Sequence, residues 1–166
     1  LVLCPSYACA GEGGAVDDVE KRVRQDEAML SAVLRRVLGS LNVDRRYVLH
    51  TGFSGGGVPT WYIAMNHPET FTALCFRSAN FYGTRIDIGK AAAWRRRPVF
   101  AFWGEDDHEI IREEGPQGAN YLKSKVGCRR LTVQVIPGGT HSSRPDLAAK
   151  WFAALLPDVP APDDRP

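Results

Sequence analysis

Five short apolar segments recur along this chain, and segments with helical spacing lie between them. The apolar segments span residues 1–4, 47–51, 72–76, 98–103 and 131–136. Each is almost continuously apolar instead of alternating, which is typical of strands that helices cover on both faces of a parallel sheet. The pattern therefore predicts an α/β fold with three layers, in which helices flank a mostly parallel sheet of about five strands.

Two of the intervening segments carry clear helix signals. Apolar residues recur at three- and four-residue intervals over residues 30–41, and Gly39 stands where that helix is expected to end. Near the C-terminus, Pro145 stands at the expected start of a helix and Pro157 stops it.

The size and charge of the chain fit one domain without a polyanionic partner. With 166 residues, of which 44% are apolar, the chain can build a core of its own. We expect the domain over residues 1–157 and a disordered tail over 158–166. The formal charge is only +2 and the arginine clusters are scattered, so we expect no nucleic-acid partner. No apolar stretch is long enough to span a membrane, and the compartment stays open.

The stretch Gly52-Phe53-Ser54-Gly55-Gly56 follows the second apolar segment and precedes a helical one. A strand, a tight turn and a helix in this order hold the central serine in a strained backbone conformation, and the glycines let neighbouring backbone pass closely. The hydroxyl of Ser54 is then exposed at a helix start. There the N–H of Gly55 and the helix dipole stabilise a developing negative charge. This arrangement suits nucleophilic attack on a carbonyl carbon.

An acid and a histidine follow two of the later strands. Asp106 and Asp107 come after residues 98–103, and His141 comes after 131–136. Because parallel strands end at one edge of the sheet, we expect these side chains to lie near Ser54. A serine nucleophile needs a base to take its proton and an acid to orient that base.

In its chain order of serine, acid and histidine, the sequence resembles the α/β-hydrolases. Four motifs carry the resemblance: Gly52-Phe53-Ser54-Gly55-Gly56, Asn66-His67-Pro68-Glu69-Thr70-Phe71, Gly104-Glu105-Asp106-Asp107 and Gly138-Gly139-Thr140-His141. Within this family the chain looks most like serine esterases related to polyhydroxybutyrate depolymerases and feruloyl esterases. The resemblance implies a partial α/β-hydrolase fold. It also implies cleavage of carboxylic esters, small or polymeric, through an acyl-enzyme and without a cofactor.

The resemblance also assigns roles to individual residues. Ser54 would be the nucleophile, and His141 the general base and acid. In the family's pattern the acid stands three residues after a glycine, which indicates Asp107 and leaves Asp106 as the alternative. The backbone N–H of Gly55 would be an oxyanion donor.

Several polar and aromatic residues at the same sheet edge are candidates for a substrate pocket. They are Phe53, Asn80, Phe81, Tyr82 and His108. Aromatic residues that simply cover the edge of a sheet produce the same pattern, so both interpretations stay open.

A metal site is not expected. Residues 106–109 bring carboxylates and an imidazole together in sequence, but consecutive side chains point in different directions and rarely converge on one ion. The four cysteines do not have the paired spacing of a zinc site.

Matched strand by strand, residues 1–4 correspond to the family's fourth strand, and its first three strands have no counterpart. The loop after the third strand supplies the second oxyanion donor in these enzymes. We therefore expect an N-terminally truncated fragment, or a reduced fold in which residues 1–4 take the vacant position. Two other functions stay open: a peptidase of the same fold, and a catalytically inactive hydrolase-like domain that binds a ligand.

Overall fold

The computed structural model describes residues 2–3 and 16–156. The helices of this part are α1 Val16–Ser40, α2 Gly57–Asn66, α3 Ile88–Ala91, α4 Glu109–Tyr121 and α5 Pro145–Ala153. Its strands are β1 Leu49–Ser54, β2 Ala73–Ala79, β3 Val99–Gly104 and β4 Leu131–Ile136. Short 3₁₀ turns at Pro68–Thr70 and Ala92–Arg95 precede β2 and β3, and a π-helical turn at Leu122–Val126 continues α4.

The strands of the described part form one parallel sheet in the order β1-β2-β3-β4. The predicted α/β class and parallel sheet are confirmed, and β4 has the predicted bounds. β1 begins two residues later than predicted and runs three residues further, because its pairing with β2 continues through Ser54. Of the predicted first strand at residues 1–4, only Val2 and Leu3 are described, and neither lies in a strand.

Helices cover both faces of the sheet. On one face α1, α2 and α4 pack through a core that includes Leu30, Trp61, Leu74 and Ile111. On the other face α5 packs through a smaller core that includes Cys75, Phe100, Phe102 and Ala148. The two central strands are buried along almost their whole length, which explains their continuously apolar sequences.

All of these strands end at the same edge of the sheet, where the predicted motifs follow β1, β3 and β4. Near this edge the pairing of β1 with β2 skips a residue: Phe53 pairs with Arg77, but Ser54 pairs with Ala79. Ser78 is the extra residue of this β-bulge, and a bulge re-aims the side chain that it carries.

Parts of the predicted domain organisation fall outside the described residues. They are the tail at 158–166 and the stretch 4–15 that leads into α1. Among the described helices, none combines the length and the apolar character needed to cross a membrane.

Candidate active site

Ser54 lies at the turn between β1 and α2, with a φ of 53°. This left-handed conformation is strained for a residue other than glycine. The chain passes so closely here that a Cβ at Gly52 would lie 2.4 Å from the carbonyl oxygen of Gly56, and one at Gly57 would lie 2.5 Å from that of Asn80. The glycines around Ser54 therefore permit the tight turn that presents its hydroxyl at the carboxyl end of β1.

The imidazole of His141 bridges the two other predicted side chains. Nε2 of His141 lies 2.9 Å from Oγ of Ser54, and Nδ1 lies 2.6 Å from Oδ1 of Asp107. The side chain of Asp107 is fully buried, and that of His141 is 18% exposed. The three residues expected to meet at the strand ends thus form one continuous line of hydrogen-bonding contacts.

The two candidate acids have different surroundings. Asp107 contacts His141 through its carboxylate, as described above. Asp106 is exposed, and its backbone N–H donates to the carbonyl oxygen of Gly139 at 2.8 Å. The carboxylate next to the imidazole is therefore that of Asp107.

Three hydrogen-bonding partners surround the carboxylate of Asp107. Besides His141, they are the N–H of His108 at 2.8 Å and the N–H of Gly104 at 3.2 Å. The hydroxyl of Ser78 donates to the carbonyl oxygen of Ser142 at 3.5 Å. Burial alone would raise the pKa of Asp107, but the nearby hydroxyl of Ser78, the imidazole of His141 and the two backbone N–H groups outweigh burial and lower this pKa below its ordinary value. Asp107 is therefore an anion at neutral pH.

The acid loop (residues 104–108) and the histidine loop (residues 137–142) touch each other. The N–H of Asp106 joins them through its hydrogen bond to Gly139. A Cβ at Gly104 would lie only 2.1 Å from the carbonyl oxygen of Gly139. The distance between the carboxylate and the imidazole thus depends on a glycine at position 104.

Two aromatic rings pack against the imidazole of His141. The ring of Phe53 lies 4.8 Å from it, centroid to centroid, at an interplanar angle of 32°. The ring of His108 lies 4.3 Å from it at 36°. These two predicted pocket residues therefore contact the site directly and restrict the rotation of the imidazole.

The other predicted pocket residues turn towards the helices. The side chain of Asn80 and the N–H of Phe81 both donate to Oε2 of Glu114, at 2.9 and 3.0 Å. The ring of Phe81 stands edge-on to that of Trp61, with centroids 4.9 Å apart, and Tyr82 packs against the same core. These contacts favour the interpretation that the three residues cover the sheet edge, and their role in a pocket stays a prediction.

Little in the sequence marks Ser78 or Glu114 as residues of this region. Ser78 is a polar residue at the end of an apolar strand, and Glu114 is an ordinary acid in a helix. The hydroxyl of Ser78 bonds to a residue 64 positions further along the chain, and the two partners of Glu114 lie 34 and 33 positions back. Local sequence patterns do not reach that far.

The described residues contain no group of three or more His, Cys, Asp or Glu side chains placed to hold a metal ion. In the segment 106–109, the ring of His108 packs on that of His141. The backbone N–H of His108 donates a hydrogen bond to the carboxylate of Asp107.

No protein-family model matches this sequence, and a comparison with curated proteins found no match. Solved structures do match. SOBER1 of Arabidopsis thaliana gives a TM-score of 0.64 at 18% identity, over 81% of this chain and 65% of that chain. Esterase PE8 gives 0.63 at 18% identity, over 82% and 63%. Acyl-protein thioesterase 2 of Zea mays gives 0.58 at 15% identity, over 80% and 65%.

The chain thus spans less than two-thirds of the length of each of these structures. At such low identity the similarity concerns the fold alone. It agrees with the parallel sheet and with the helices on both of its faces. The fold of this chain is therefore a partial α/β-hydrolase fold.

Proposed function

We propose that this protein is a serine hydrolase that cleaves carboxylic esters through an acyl-enzyme intermediate. Ser54 is the nucleophile, His141 is the general base and then the general acid, and Asp107 orients the imidazole. The observation that carries the proposal is the unbroken line of contacts from Oγ of Ser54, through both ring nitrogens of His141, to a buried carboxylate.

The acid sets the tautomer of the base. With Nδ1–H donating to the Asp107 anion, Nε2 of His141 carries a free lone pair that accepts the Ser54 proton. As Oγ attacks the ester carbonyl, this proton moves to Nε2 and the imidazolium is stabilised by the carboxylate. The tetrahedral intermediate then collapses, and the alcohol leaves with the proton from Nε2. A water molecule, activated in the same way, hydrolyses the acyl-enzyme.

The negative charge of the tetrahedral intermediate develops beside the start of α2. The N–H of Gly55 directly follows the nucleophile, and α2 begins at Gly57. We assign that N–H as an oxyanion donor, supported by the positive end of the helix dipole. Loss of one such donor typically lowers turnover about 10²- to 10³-fold.

Esters are favoured over peptides as substrates by the names of the structural relatives, which include an esterase and an acyl-protein thioesterase. A peptidase of the same fold would use the same three residues. We propose both small-molecule esters and polymeric esters as candidate substrates. An inactive binding domain is disfavoured because it has no need for a strained serine aligned with an imidazole and a buried carboxylate.

Labelling with a fluorophosphonate probe, read by intact mass, tests the proposal. The probe is applied to this chain, to Ser54→Ala, and to Ser124→Ala as a matched control. Ser124 is an exposed serine whose hydroxyl donates to the carbonyl of Asn120 at 2.7 Å. We expect stoichiometric labelling of the wild-type chain and of Ser124→Ala, and none of Ser54→Ala.

A folded wild-type chain that takes up no probe would contradict the proposal. If the probe labels the chain, unlabelled protein from the same preparation would next be given p-nitrophenyl butyrate and a peptide p-nitroanilide. Hydrolysis of the ester alone supports an esterase, whereas faster release from the anilide would favour the peptidase.

A further inference from the structure

Arg77 is the only charged residue of β2, a central strand whose other residues are all buried. Its neighbours in register are Phe53 on β1 and Phe102 on β3. A guanidinium that loses part of its hydration between such neighbours destabilises a fold unless its N–H groups find acceptors in the protein. The acceptors of Arg77 therefore indicate why a charge is retained at this position.

The guanidinium of Arg77 bonds to two different segments of the chain. Its Nε–H donates to Oγ1 of Thr51 in β1 at 2.9 Å, and its Nη1 donates to the carbonyl oxygen of Ser143 at 2.9 Å. Because a guanidinium is planar and rigid, two bonds from different nitrogens fix its orientation as well as its position. Arg77 thus ties Ser143 to the sheet.

Ser143 directly follows the histidine loop and stands two residues after His141. The preceding carbonyl oxygen, that of Ser142, accepts a hydrogen bond from the hydroxyl of Ser78 at 3.5 Å. Two consecutive side chains of β2, Arg77 and Ser78, therefore hold two consecutive carbonyl groups of the segment that follows the imidazole. Of the two contacts, that of Arg77 is shorter and comes from a charged donor, so it is the stronger one.

The backbone is held on both sides of the imidazole. Before it, an N–H of the acid loop donates to the carbonyl oxygen of Gly139 at 2.8 Å. After it, Arg77 holds Ser143. Arg77 belongs to β2, which pairs directly with β1, the strand that ends in Ser54. Arg77 therefore fixes the segment after the imidazole relative to the nucleophile.

We propose that Arg77 is a positioning residue of this active site, and that its guanidinium holds Ser143 so that Nε2 of His141 stays aligned with Oγ of Ser54. This inference rests on the proposed function of Ser54, His141 and Asp107. Without the guanidinium, the carbonyl of Ser143 loses this bond to the sheet. The imidazole then moves relative to the nucleophile, and a displacement of about 1 Å lowers turnover about 100-fold.

Two substitutions separate the hydrogen bonds from the bulk and the charge of the side chain. Arg77→Met keeps an apolar stem and removes every donor, whereas Arg77→Lys keeps the charge but has one nitrogen in place of three. For hydrolysis of p-nitrophenyl butyrate, we expect kcat of Arg77→Met to fall about 10- to 100-fold. The kcat of Arg77→Lys should lie between those of Arg77→Met and wild type. We expect KM to stay within about threefold of wild type, because positioning acts on the chemical step more than on binding.

Arg36→Met is the matched control, because Arg36 is an exposed arginine of α1. Its kcat and KM should equal those of wild type. Melting temperatures establish that the enzymes compared are folded in the assay. If Arg77→Met does not fold, Arg77→Lys decides the test because it keeps the charge, and wild-type kcat in that variant would then overturn the proposal.

A folded Arg77→Met enzyme with wild-type kcat would overturn the proposal, and so would an equal loss in Arg36→Met. Proton NMR gives a readout that does not depend on turnover. The proton between Nδ1 of His141 and Oδ1 of Asp107 should resonate at low field in wild type and in Arg36→Met. It should shift or broaden in Arg77→Met, because the imidazole moves. An unchanged resonance in a folded Arg77→Met protein would also overturn the proposal.

The proposed function fails separately. If Ser54→Ala retained wild-type activity, the assignment of the nucleophile would be wrong whatever the result at position 77. In that event the NMR signal of the His141 proton would still decide whether Arg77 positions the imidazole.

Discussion

His141 is held by four neighbouring side chains. Ser54 and Asp107 lie at its two ring nitrogens, and the rings of Phe53 and His108 pack against it. A general base works only in one tautomer and one orientation, so each of these contacts contributes to the proposed chemistry. Two substitutions at the scale of single residues test which contacts matter most.

Asp107→Asn should lower kcat for ester hydrolysis by about 10⁴-fold, because an amide in place of the carboxylate no longer selects the tautomer that leaves Nε2 free. Asp106→Asn is the matched control, since Asp106 is exposed and adjacent in sequence. Its activity should stay within about twofold of wild type, as expected for an exposed substitution away from the reacting atoms. Steady-state kinetics on the two variants provide the measurement. Equal losses in both would show that the acid has been assigned wrongly.

His108→Ala should lower kcat/KM about 2- to 10-fold, because it removes one ring that packs on the imidazole and such ring pairs contribute about 0.5–1.5 kcal/mol. The side chain of His108 is exposed, so loss of this one ring contact should lower the melting temperature by no more than about 6 °C. Glu109→Ala, the exposed neighbour, serves as the control. A His108→Ala enzyme with wild-type kcat/KM would show that this ring does not restrain His141.

Among the helices and strands, the site lies where three loops meet, and these loops follow parallel strands of one sheet. The sheet fixes where β1, β3 and β4 end, and the loops fix the remaining distances. The close approach of the acid loop to the histidine loop depends on Gly104, where a side chain would collide with the backbone of Gly139. The strands therefore bring the three residues near each other, and glycine lets them meet.

Gly104→Ala should reduce both activity and stability. Its Cβ would lie 2.1 Å from a carbonyl oxygen, and relief of such overpacking costs about 1–3 kcal/mol. Gly39→Ala is the matched control, because a Cβ there would meet no atom within 4 Å, in the last turn of α1. It should stabilise the fold by about 0.5–1 kcal/mol. Urea unfolding and ester hydrolysis are measured for both, and equal effects would contradict the argument.

At the scale of the whole molecule, a sheet covered by helices on both faces buries polar groups that the strands carry. His50 in β1 is one of them: it is buried, and its ring stacks on that of Phe71 at 4.4 Å. Burial lowers the pKa of His50 from 6.5 to about 4. The stability of the fold therefore depends on pH through a residue outside the candidate active site.

Between pH 6.5 and about 4 the unfolded chain binds a proton at His50 that the folded chain does not bind, so stability falls as the pH falls through this range. The shift corresponds to roughly 3 kcal/mol at 1.36 kcal/mol per pH unit. Urea unfolding at pH 7, 5.5 and 4.5 should show this loss in the wild-type protein. In His50→Leu the slope over the same range should be smaller, and an identical slope in both would refute the assignment.

The sequence predicted the site best where a functional residue directly follows a strand. The motifs around Ser54, Asp107 and His141 each come after an apolar segment, and parallel strands end at a common edge. Prediction was less accurate for strand ends, because Gly52 and Ser54 interrupt the apolar pattern while their backbone still pairs with β2. The sequence did not predict where the side chains of Asn80, Phe81 and Tyr82 point. Their orientation depends on contacts with residues of α2 and α4 that are distant in sequence.

The amino-acid sequence was enough to predict the α/β class, the parallel sheet and the order of serine, acid and histidine, because these depend on local periodicity and on residues next to strand ends. The packing of the loops selects the carboxylate that faces His141, and it brings the hydroxyl of Ser78 to the carbonyl of Ser142. These hydrogen bonds join residues 34 and 64 positions apart, and only the docking of loops against the sheet creates them.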